Sequence, residues 1–289
     1  MRRHLFPVLG ALGLLAGLPL AQQANPPRAE VPVIGDNAGN MSVTGFSSWR
    51  TKKLENGQWK ITVRTGQGKR IVGKWVKQKM NIEVGELDAI VDVQKDGAKM
   101  LVSASMAGQI VANFARKSTN ATSTEPQTVD VRAASADFTA ARNEVEVKGG
   151  LTLTRSDPGA RESMTATGSS GVITLSELGA TSNAVKTAVL NGPVVMKMNG
   201  QRKGDDGKPQ PYVLTGSADK MVFNDAARTV VFTGNVKITG DDPGLGGEIS
   251  GVQTATITFA KSGEIESIDL EGDPGRTIIA DKKKGGGKR

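Results

Sequence analysis

Two stretches of this chain repeat the same pattern of residues. One reads ADFTAARNEVEVKGGLTLTRSDPG from Ala136, and the other reads ADKMVFNDAARTVVFTGNVKITGDDPG from Ala218. Their Asp-Pro-Gly segments begin 85 residues apart, at Asp157 and Asp242, and Gly149 and Gly234 keep the same offset. Stacked repeats bury a core that neighbouring units share. The repeat therefore predicts a scaffold rather than a catalytic constellation.

Each copy alternates apolar and polar residues on both sides of its glycine. Alternation with a period of two places Met221 and Phe223 on one face of a strand, with polar residues on the other face. We predict turns at Gly149 and Gly234, and type II turns at both Asp-Pro-Gly segments. Only residues 182–190 offer a possible short helix. The pattern predicts an all-β fold of two facing sheets with an aliphatic interior.

The N-terminal residues predict export. Arg2 and Arg3 form a short basic start, an apolar run covers residues 5–20, and small Ala21 precedes polar Gln22. This is the layout of a secretory signal peptide over residues 1–21, with cleavage near Ala21. The apolar run is short for a bilayer span, which needs about 20 residues. A retained N-terminal membrane anchor is the alternative.

Two residue types that support much enzyme chemistry are absent from the predicted mature chain. The sequence has no Cys, and its single His, His4, lies in the predicted signal peptide. The usual general base, thiol nucleophile and zinc or copper ligands are therefore missing. We predict no enzyme activity, no catalytic residue, no metal site and no cofactor. A glycan-acting envelope enzyme would need two converging carboxylates, but the acidic residues cluster in turns such as Asp269–Asp273.

The net charge of +8 is concentrated at the chain ends. Residues 281–289 contain Lys282, Lys283, Lys284, Lys288 and Arg289 against the single acid Asp281. This predicts a disordered basic tail on a nearly neutral body, and no nucleic-acid partner. Contact between the tail and acidic or phosphorylated lipid headgroups is the alternative to a plain solvated end.

Composition predicts the division of the remaining chain. Residues 22–42 are rich in proline and read as a linker, and residues 43–117 form an N-terminal β unit. The polar stretch 117–127 reads as a loop or a boundary before the repeated region, residues 128–280. The N-terminal unit either continues the β structure of the repeated region or forms a second unit.

Three phrases of the second copy carry a family resemblance. They are Ala218–Phe223, Thr233–Ile238 and Gly251–Phe259, with looser counterparts at Ala136–Phe138 and Gly149–Leu153. They resemble the OstA-like (LptA-type) family, the periplasmic domains of the lipopolysaccharide transport system, over roughly residues 130–275. The resemblance implies an open β-jellyroll of stacked antiparallel strands.

The same resemblance implies a function without chemistry. Such a periplasmic protein would hold the acyl chains of lipopolysaccharide, or of a similar glycolipid, in an apolar groove. Its unpaired edge strands would join other OstA-like domains, including a head-to-tail homo-oligomer.

Alternating apolar positions of the second copy are the candidate lipid-binding residues. They are Met221, Phe223, Val236, Ile238, Ile257 and Phe259. The alternative is a structural envelope scaffold of the same fold with a filled β core and no lipid. The two readings differ in interior volume, because an interior packed to normal density leaves no room for acyl chains.

Overall fold

The structure, a computed structural model, describes residues 31–34, 41–75, 80–95, 99–116, 118, 122–175, 185–203, 208–242, 245–260, 265–272 and 276–279. These residues form seventeen β-strands in one sheet and a single 3₁₀ turn at Ala140–Arg142. The strands are β1 Val31–Ile34, β2 Met41–Thr44, β3 Ser48–Lys53, β4 Trp59–Arg64, β5 Ile71–Trp75, β6 Met80–Val84, β7 Glu86–Val93, β8 Lys99–Arg116, β9 Gln127–Thr139, β10 Glu144–Asp157, β11 Glu162–Leu175, β12 Val185–Lys203, β13 Pro209–Asn224, β14 Thr229–Asp242, β15 Leu245–Phe259, β16 Ile265–Glu271 and β17 Arg276–Ile279. The all-β prediction is confirmed.

Every strand pair in the sheet is antiparallel. The strands β8 to β15 are long, with 13 to 19 residues each, and each of them pairs with the next along the chain. Two of these long strands each meet two short strands on one side. β8 pairs with β7 and then β6, and β15 pairs with β17 and then β16.

Each long strand has an irregularity in register near its middle. We call this line of irregularities the seam. Its residues are Gly108-Gln109 in β8, Ala134 in β9, Gly149-Gly150 in β10, Gly168-Ser169 in β11, Gly192-Pro193 in β12, Ala218-Asp219 in β13, Gly234-Asn235 in β14 and 251–253 in β15. Bulges of this kind bend a strand and increase its twist. The turns predicted at Gly149 and Gly234 are wrong, because both glycines lie mid-strand, at φ +75° and +76°.

The seam divides the sheet into two layers. Layer 1 contains β3, β4, β7 and β16, together with the half of each long strand that lies on their side of the seam. Layer 2 contains β1, β2, β5, β6 and β17, together with the other half of each long strand. Residues on opposite sides of the seam touch. A Cβ on Gly216 of layer 2 would lie 2.7 Å from the Phe232 ring of layer 1. Contact between residues this far apart along their strands requires the layers to face each other.

The core between the layers is continuous from Val43 to Ile257. It is built from the inward-facing alternate residues, mostly Val, Ile, Leu, Met and Ala, as in the burial pattern of β9. In the described part of the chain β3, β16, β1 and β17 each have a strand partner on one side only, so the sheet is open. An open sheet of stacked antiparallel strands agrees with the predicted fold class.

The predicted type of the first Asp-Pro-Gly turn is wrong, and the possible short helix is a strand where it is described. Ala160 N–H donates to the Asp157 carbonyl at 3.2 Å, so the first Asp-Pro-Gly segment does turn the chain. Gly159 lacks the positive φ that a type II turn needs at that position. The left-handed residue is Arg161, at φ 55°. The described part of the possible helix at 182–190 belongs to strand β12.

Several predicted segments lie outside the described residues. They are the signal peptide (1–21), the basic tail (281–289) and part of the second Asp-Pro-Gly turn. The predicted linker 22–42 contains β1, which pairs with β2. The ladder between β8 and β9 runs from Ser103–Thr139 to Arg116–Gln127, across the boundary proposed near 117–127. That residues 43–117 and 128–280 are separate units stays a prediction.

Candidate lipid groove and sheet edges

All six predicted lipid-lining residues lie on inward faces, but at two depths. The exposed fractions of Met221, Val236, Ile238 and Ile257 are 1% or less. Phe223 and Phe259 are half-buried and pack against the core from its margin. The first four residues therefore form the interior, and only the two phenylalanines reach the margin.

The pairing of the strands shows which of these residues come together. Phe223 lies opposite Val230, which lies opposite Ile257, so Phe223 and Ile257 share one inward row of layer 1. Val236 and Ile238 belong to layer 2, just beyond the seam. The six residues therefore line both walls of the same interior.

The two phenylalanines belong to a longer line of half-buried apolar side chains. These residues lie where the strands of layer 1 end, away from the seam, and we call them the layer-1 rim. The rim consists of Ala140, Val145, Leu175, Phe223, Phe259 and Ile265. Sequence reasoning found two of the six. The other four are the inward apolar residues nearest to strand ends, and only the pairing of the strands brings them into one line.

The strand ends of layer 2 are polar in comparison. Gln127, Asp157 and Glu162 are buried there, with exposed fractions of 4%, 0% and 6%. Arg155 Nη2 lies 3.3 Å from Glu162 Oε2, and Ser118 Oγ donates to Asp157 Oδ1 at 2.6 Å. Buried charges are tolerated when they are paired and hydrogen-bonded in this way. The open side of the two layers thus has one apolar margin and one polar margin.

The phrases that carry the family resemblance have a structural explanation. Asn235 Nδ2 donates to Asp219 Oδ2 at 2.8 Å, and a Cβ on Gly234 would lie 2.5 Å from the same oxygen. The Ala-Asp and Gly-Asn phrases therefore fit together at the seam. Asp137 of the first copy lies beyond the seam and accepts from Ser105 Oγ at 2.7 Å. Its hydrogen bond from Lys148 raises the pKa of that lysine.

Arg70 was missed by the sequence analysis and closes one end of the seam. Its guanidinium donates to the carbonyls of Gly108 at 2.8 Å and Glu83 at 3.0 Å, and also to that of Gln109. A charged donor on three carbonyls stabilises the bulge where β8 passes from β7 to β6. Nothing in the local sequence marks this role, since the contacts with β8 span 38 and 39 residues.

The sequence contains two acidic pairs, Asp205-Asp206 and Asp241-Asp242, and the first pair lies outside the described residues. Asp241 accepts a hydrogen bond from the Val213 backbone N–H. Within the described ranges no three acidic or histidine side chains converge on one point. No helix among those residues has the length and apolarity needed to cross a membrane.

The two edge strands of layer 1 have opposite charges. We call Arg50, Lys52 and Lys53 on β3 the basic edge, and Glu266, Asp269 and Glu271 on β16 the acidic edge. All six side chains are exposed. Charged residues on an edge strand either discourage or direct strand pairing with another chain.

Comparisons with known proteins give a likeness to solved structures. No family model matches the chain, and no curated protein matches it. A solved structure, that of LptH, the LptA homologous periplasmic component of the lipopolysaccharide transport device from Pseudomonas aeruginosa, is similar at 15% identity and a TM-score of 0.32. The likeness covers 50% of this chain and 95% of that chain. At this TM-score it carries no argument about function, and the fold rests on the strand pairing described above.

Proposed function

We propose that this chain is a non-enzymatic periplasmic carrier that binds the acyl chains of lipopolysaccharide or a similar glycolipid in an apolar groove along the open margin of its two layers. The layer-1 rim is the observation that carries the proposal. It places six half-buried apolar side chains, packed on the core, along one margin of an open sheet. Burying such surface under an acyl chain stabilises the complex by about 0.8 kcal/mol per CH₂ group.

The proposed lipid lies with its chains on the rim and its polar part away from it. Phe223 and Phe259 contact the acyl chains, and Met221, Val236, Ile238 and Ile257 form the floor beneath them. The polar strand ends of layer 2, with Arg155 and Glu162, face the sugar side. An amphipathic ligand fits a margin that is apolar on one side and polar on the other.

The second part of the proposal concerns the sheet edges. Unpaired strands present free N–H and C=O groups that a further strand can use. In the described chain each layer has such a strand at both ends. We propose that these edges join other OstA-like domains of the transport system.

A structural scaffold with a filled interior is the second candidate. It is favoured by the burial of Met221, Val236, Ile238 and Ile257 within the chain itself, at 1% exposure or less. Side chains packed this closely leave no volume for a chain between them. The scaffold and the carrier differ only in whether lipid occupies the rim.

Photo-crosslinking with the mature protein, taken from its own envelope, separates these candidates. A photoreactive residue replaces Phe223 or Phe259 on the rim, and in control variants replaces Lys220 or Thr258, whose side chains point outward. The carrier predicts lipid adducts at the rim positions and few at the controls. Adducts confined to the controls, together with native mass spectra of lipid-free protein, would establish the scaffold instead.

A further inference from the structure

The layer-1 rim continues, with more exposed side chains, into the first strands of the sheet. Trp59 begins β4 and Val93 ends β7, and their exposed fractions are 37% and 41%. Trp59 lies opposite the buried residue Val91, and Val93 is two residues further along β7, so both side chains belong to the inward face. The other end of this ladder, Arg64–Glu86, lies beside the seam. Trp59 and Val93 therefore lie at the margin of layer 1 that the rim occupies.

Cations lie beside this apolar pair. Lys53 of the basic edge is directly opposite Trp59 on the neighbouring strand. Residues 50–60, which contain the basic edge and the turn between β3 and β4, carry four basic residues and a single acid, Glu55. We call the apolar pair and the basic edge together the amphipathic corner.

The cations of the amphipathic corner are not neutralised within the chain. In the portion that the structure describes, no side chain of the basic edge takes part in an ion pair. The basic residues of the next strand differ, because Lys60 and Arg64 are paired with Asp88 at 3.2 and 2.7 Å. At the end of β7, Asp92 and Lys95 carry opposite charges. The positive charge of the basic edge is therefore available to an anionic partner.

The combination of side chains favours a lipid surface among the anionic partners. A tryptophan ring, with its apolar body and polar N–H, is stabilised at the boundary between hydrocarbon and water. Lysine and arginine reach anionic headgroups while their aliphatic stems cover apolar surface. A free anion or an acidic polymer would contact the cations and leave Trp59 and Val93 exposed to water. A bilayer surface uses both kinds of side chain.

We infer that the amphipathic corner docks on the surface of a bilayer that contains anionic phospholipid. Trp59 and Val93 enter the interface, and Arg50, Lys52 and Lys53 contact the headgroups. The contact uses side chains, so the backbone groups of β3 remain free for a further strand. This inference goes beyond the proposed function, because it concerns a membrane surface and not the molecule held at the rim. It holds whether or not lipid occupies the rim.

Co-sedimentation of the mature protein with lipid vesicles tests the docking. Vesicles of phosphatidylglycerol mixed with phosphatidylcholine should bind the protein, and vesicles of phosphatidylcholine alone should bind it weakly. Arg50→Ser, Lys52→Ser and Lys53→Ser together should lower the affinity for the anionic vesicles about a hundredfold, since each cation near such a surface contributes about fivefold. Raising the salt concentration to about 1 M should also weaken binding, because the Debye length falls to about 3 Å.

The basic residues of 281–289 are attracted to the same vesicles and need a separate control. A variant in which all five of them become serine should keep the hundredfold dependence on the basic edge. A second control, Lys186→Ser, Lys197→Ser and Lys220→Ser, removes the same charge at exposed positions outside the amphipathic corner. It should change the affinity much less. Circular dichroism establishes that each variant is folded.

Apolar substitutions distinguish a membrane from a purely charged partner. Trp59→Ser should lower the affinity for anionic vesicles about tenfold, because the variant has no ring to bury in the interface. Val93→Ser should lower it by a smaller factor. Val195→Ser is the matched control, because Val195 is similarly exposed, at 47%, but lies on β12 away from the corner. This control should leave the affinity unchanged.

Tryptophan fluorescence locates the docked residue. A protein with Trp49→Phe and Trp75→Phe retains only Trp59. Its emission should shift to shorter wavelength on anionic vesicles and be quenched by brominated lipid. A protein with Trp59→Phe and Trp75→Phe retains only Trp49, which is half-buried beside Phe46 with ring centroids 5.6 Å apart. At saturating vesicle concentration it should show neither change.

The outcomes separate this inference from the proposed function. Absence of binding to anionic vesicles overturns the docking, and so does binding that depends on 281–289 and not on the basic edge. Binding that falls with the basic edge but ignores Trp59 and Val93 indicates a purely charged contact, such as one with an acidic protein, and overturns it as well. Loss of lipid adducts at Phe223 and Phe259 with intact docking overturns the carrier alone.

Discussion

At the scale of single residues, the facing layers depend on positions where a side chain is missing. Gly216 provides the space that the ring of Phe232 fills from the other side of the seam. Gly171 does the same for Leu151, whose Cδ2 would lie 2.7 Å from an added Cβ. Both glycines have ordinary φ angles, so their role is spatial rather than conformational.

Gly216→Val should therefore destabilise the protein through overpacking. We expect the free energy of unfolding to fall by about 1–3 kcal/mol, measured by urea denaturation. Thr215→Val is the control, because it exchanges one β-branched residue for another of similar size on the outward face of the same strand and should change stability by less than about 0.5 kcal/mol. Equal effects of the two changes would show that Phe232 does not need the space.

A second residue-scale prediction concerns the ion pairs on β4 and β7. Arg64 donates to Asp88 Oδ1 at 2.7 Å, and this hydrogen bond holds the pKa of Asp88 below its ordinary value. A lowered pKa stabilises the folded state above the unfolded pKa of about 3.9, and this stabilisation is lost as the pH falls through the folded value. The pair is partly exposed, so the gain is about 0.5 kcal/mol.

Asp88→Asn should remove that gain at pH 7 and have little effect at pH values well below 4. Urea midpoints at several pH values measure the difference between the variant and the natural chain. Asp92→Asn, on the same strand, is the control. A difference that persists undiminished in acid would mean that Asp88 stabilises the fold by its shape and not by its charge.

At the scale of elements, glycines of the seam recur at about half the 85-residue period of the sequence repeat. Gly108, Gly149, Gly192 and Gly234 are 41, 43 and 42 residues apart, one in every second long strand. Each interval contains one pair of long strands, so the 85-residue sequence repeat spans two such pairs. The shorter period is hard to see because the residue after each glycine varies among Gln109, Gly150, Pro193 and Asn235.

Replacing a bulge glycine can cost stability in two ways, through backbone strain and through a steric clash, and substitutions at Gly149 and Gly150 separate the two. Gly149 and Gly150 both have positive φ, +75° and +86°, but an added Cβ meets Ala134 at 2.6 Å only at Gly149. Gly150→Ala should cost about 1 kcal/mol for the backbone alone. Gly149→Ala should cost at least twice as much, as measured by thermal and urea unfolding. Equal losses of stability would contradict the close approach of Ala134 in β9 to Gly149 in β10.

Periodicity of two was enough to predict the strands and the inward positions of the second copy. Met221 and Phe223 of strand β13, for example, share the inward face as predicted. Periodicity was not enough to distinguish a bulge from a turn, because Gly at positive φ serves both and only long-range pairing decides between them. For the same reason the rim residues outside the second copy and the three contacts of Arg70 were missed. Both depend on which strands become neighbours.

At the scale of the whole molecule, the continuous ladder favours one cooperative unit over two. Strand β8 ends the predicted N-terminal unit, yet it pairs with β9 along nearly its whole length. The core likewise runs from one predicted unit into the other. We therefore propose that residues 43–117 continue the sheet of residues 128–280.

The tryptophans make this proposal testable in the intact protein. All three, at positions 49, 59 and 75, lie in the predicted N-terminal unit, so their fluorescence reports on that unit alone. Far-UV circular dichroism reports on the whole sheet. We expect both signals to change at one urea concentration, as in a two-state transition. Distinct midpoints, with fluorescence changing separately, would instead establish two independent units.

The regular spacing of the seam glycines also determines how the length of the body depends on the length of the sequence. Each interval of about 42 residues adds two strands to each layer, and strands lie about 4.8 Å apart, so the body lengthens in steps of about 10 Å. Adding or deleting one interval changes the strand count of layer 1 by two, which leaves the relative direction and the charges of its two end strands as they are. The length of the body can therefore change without a change in the direction or charge of the two end strands. A longer or shorter body can therefore be built by changing the number of 42-residue intervals, while the two end strands of layer 1 stay the same.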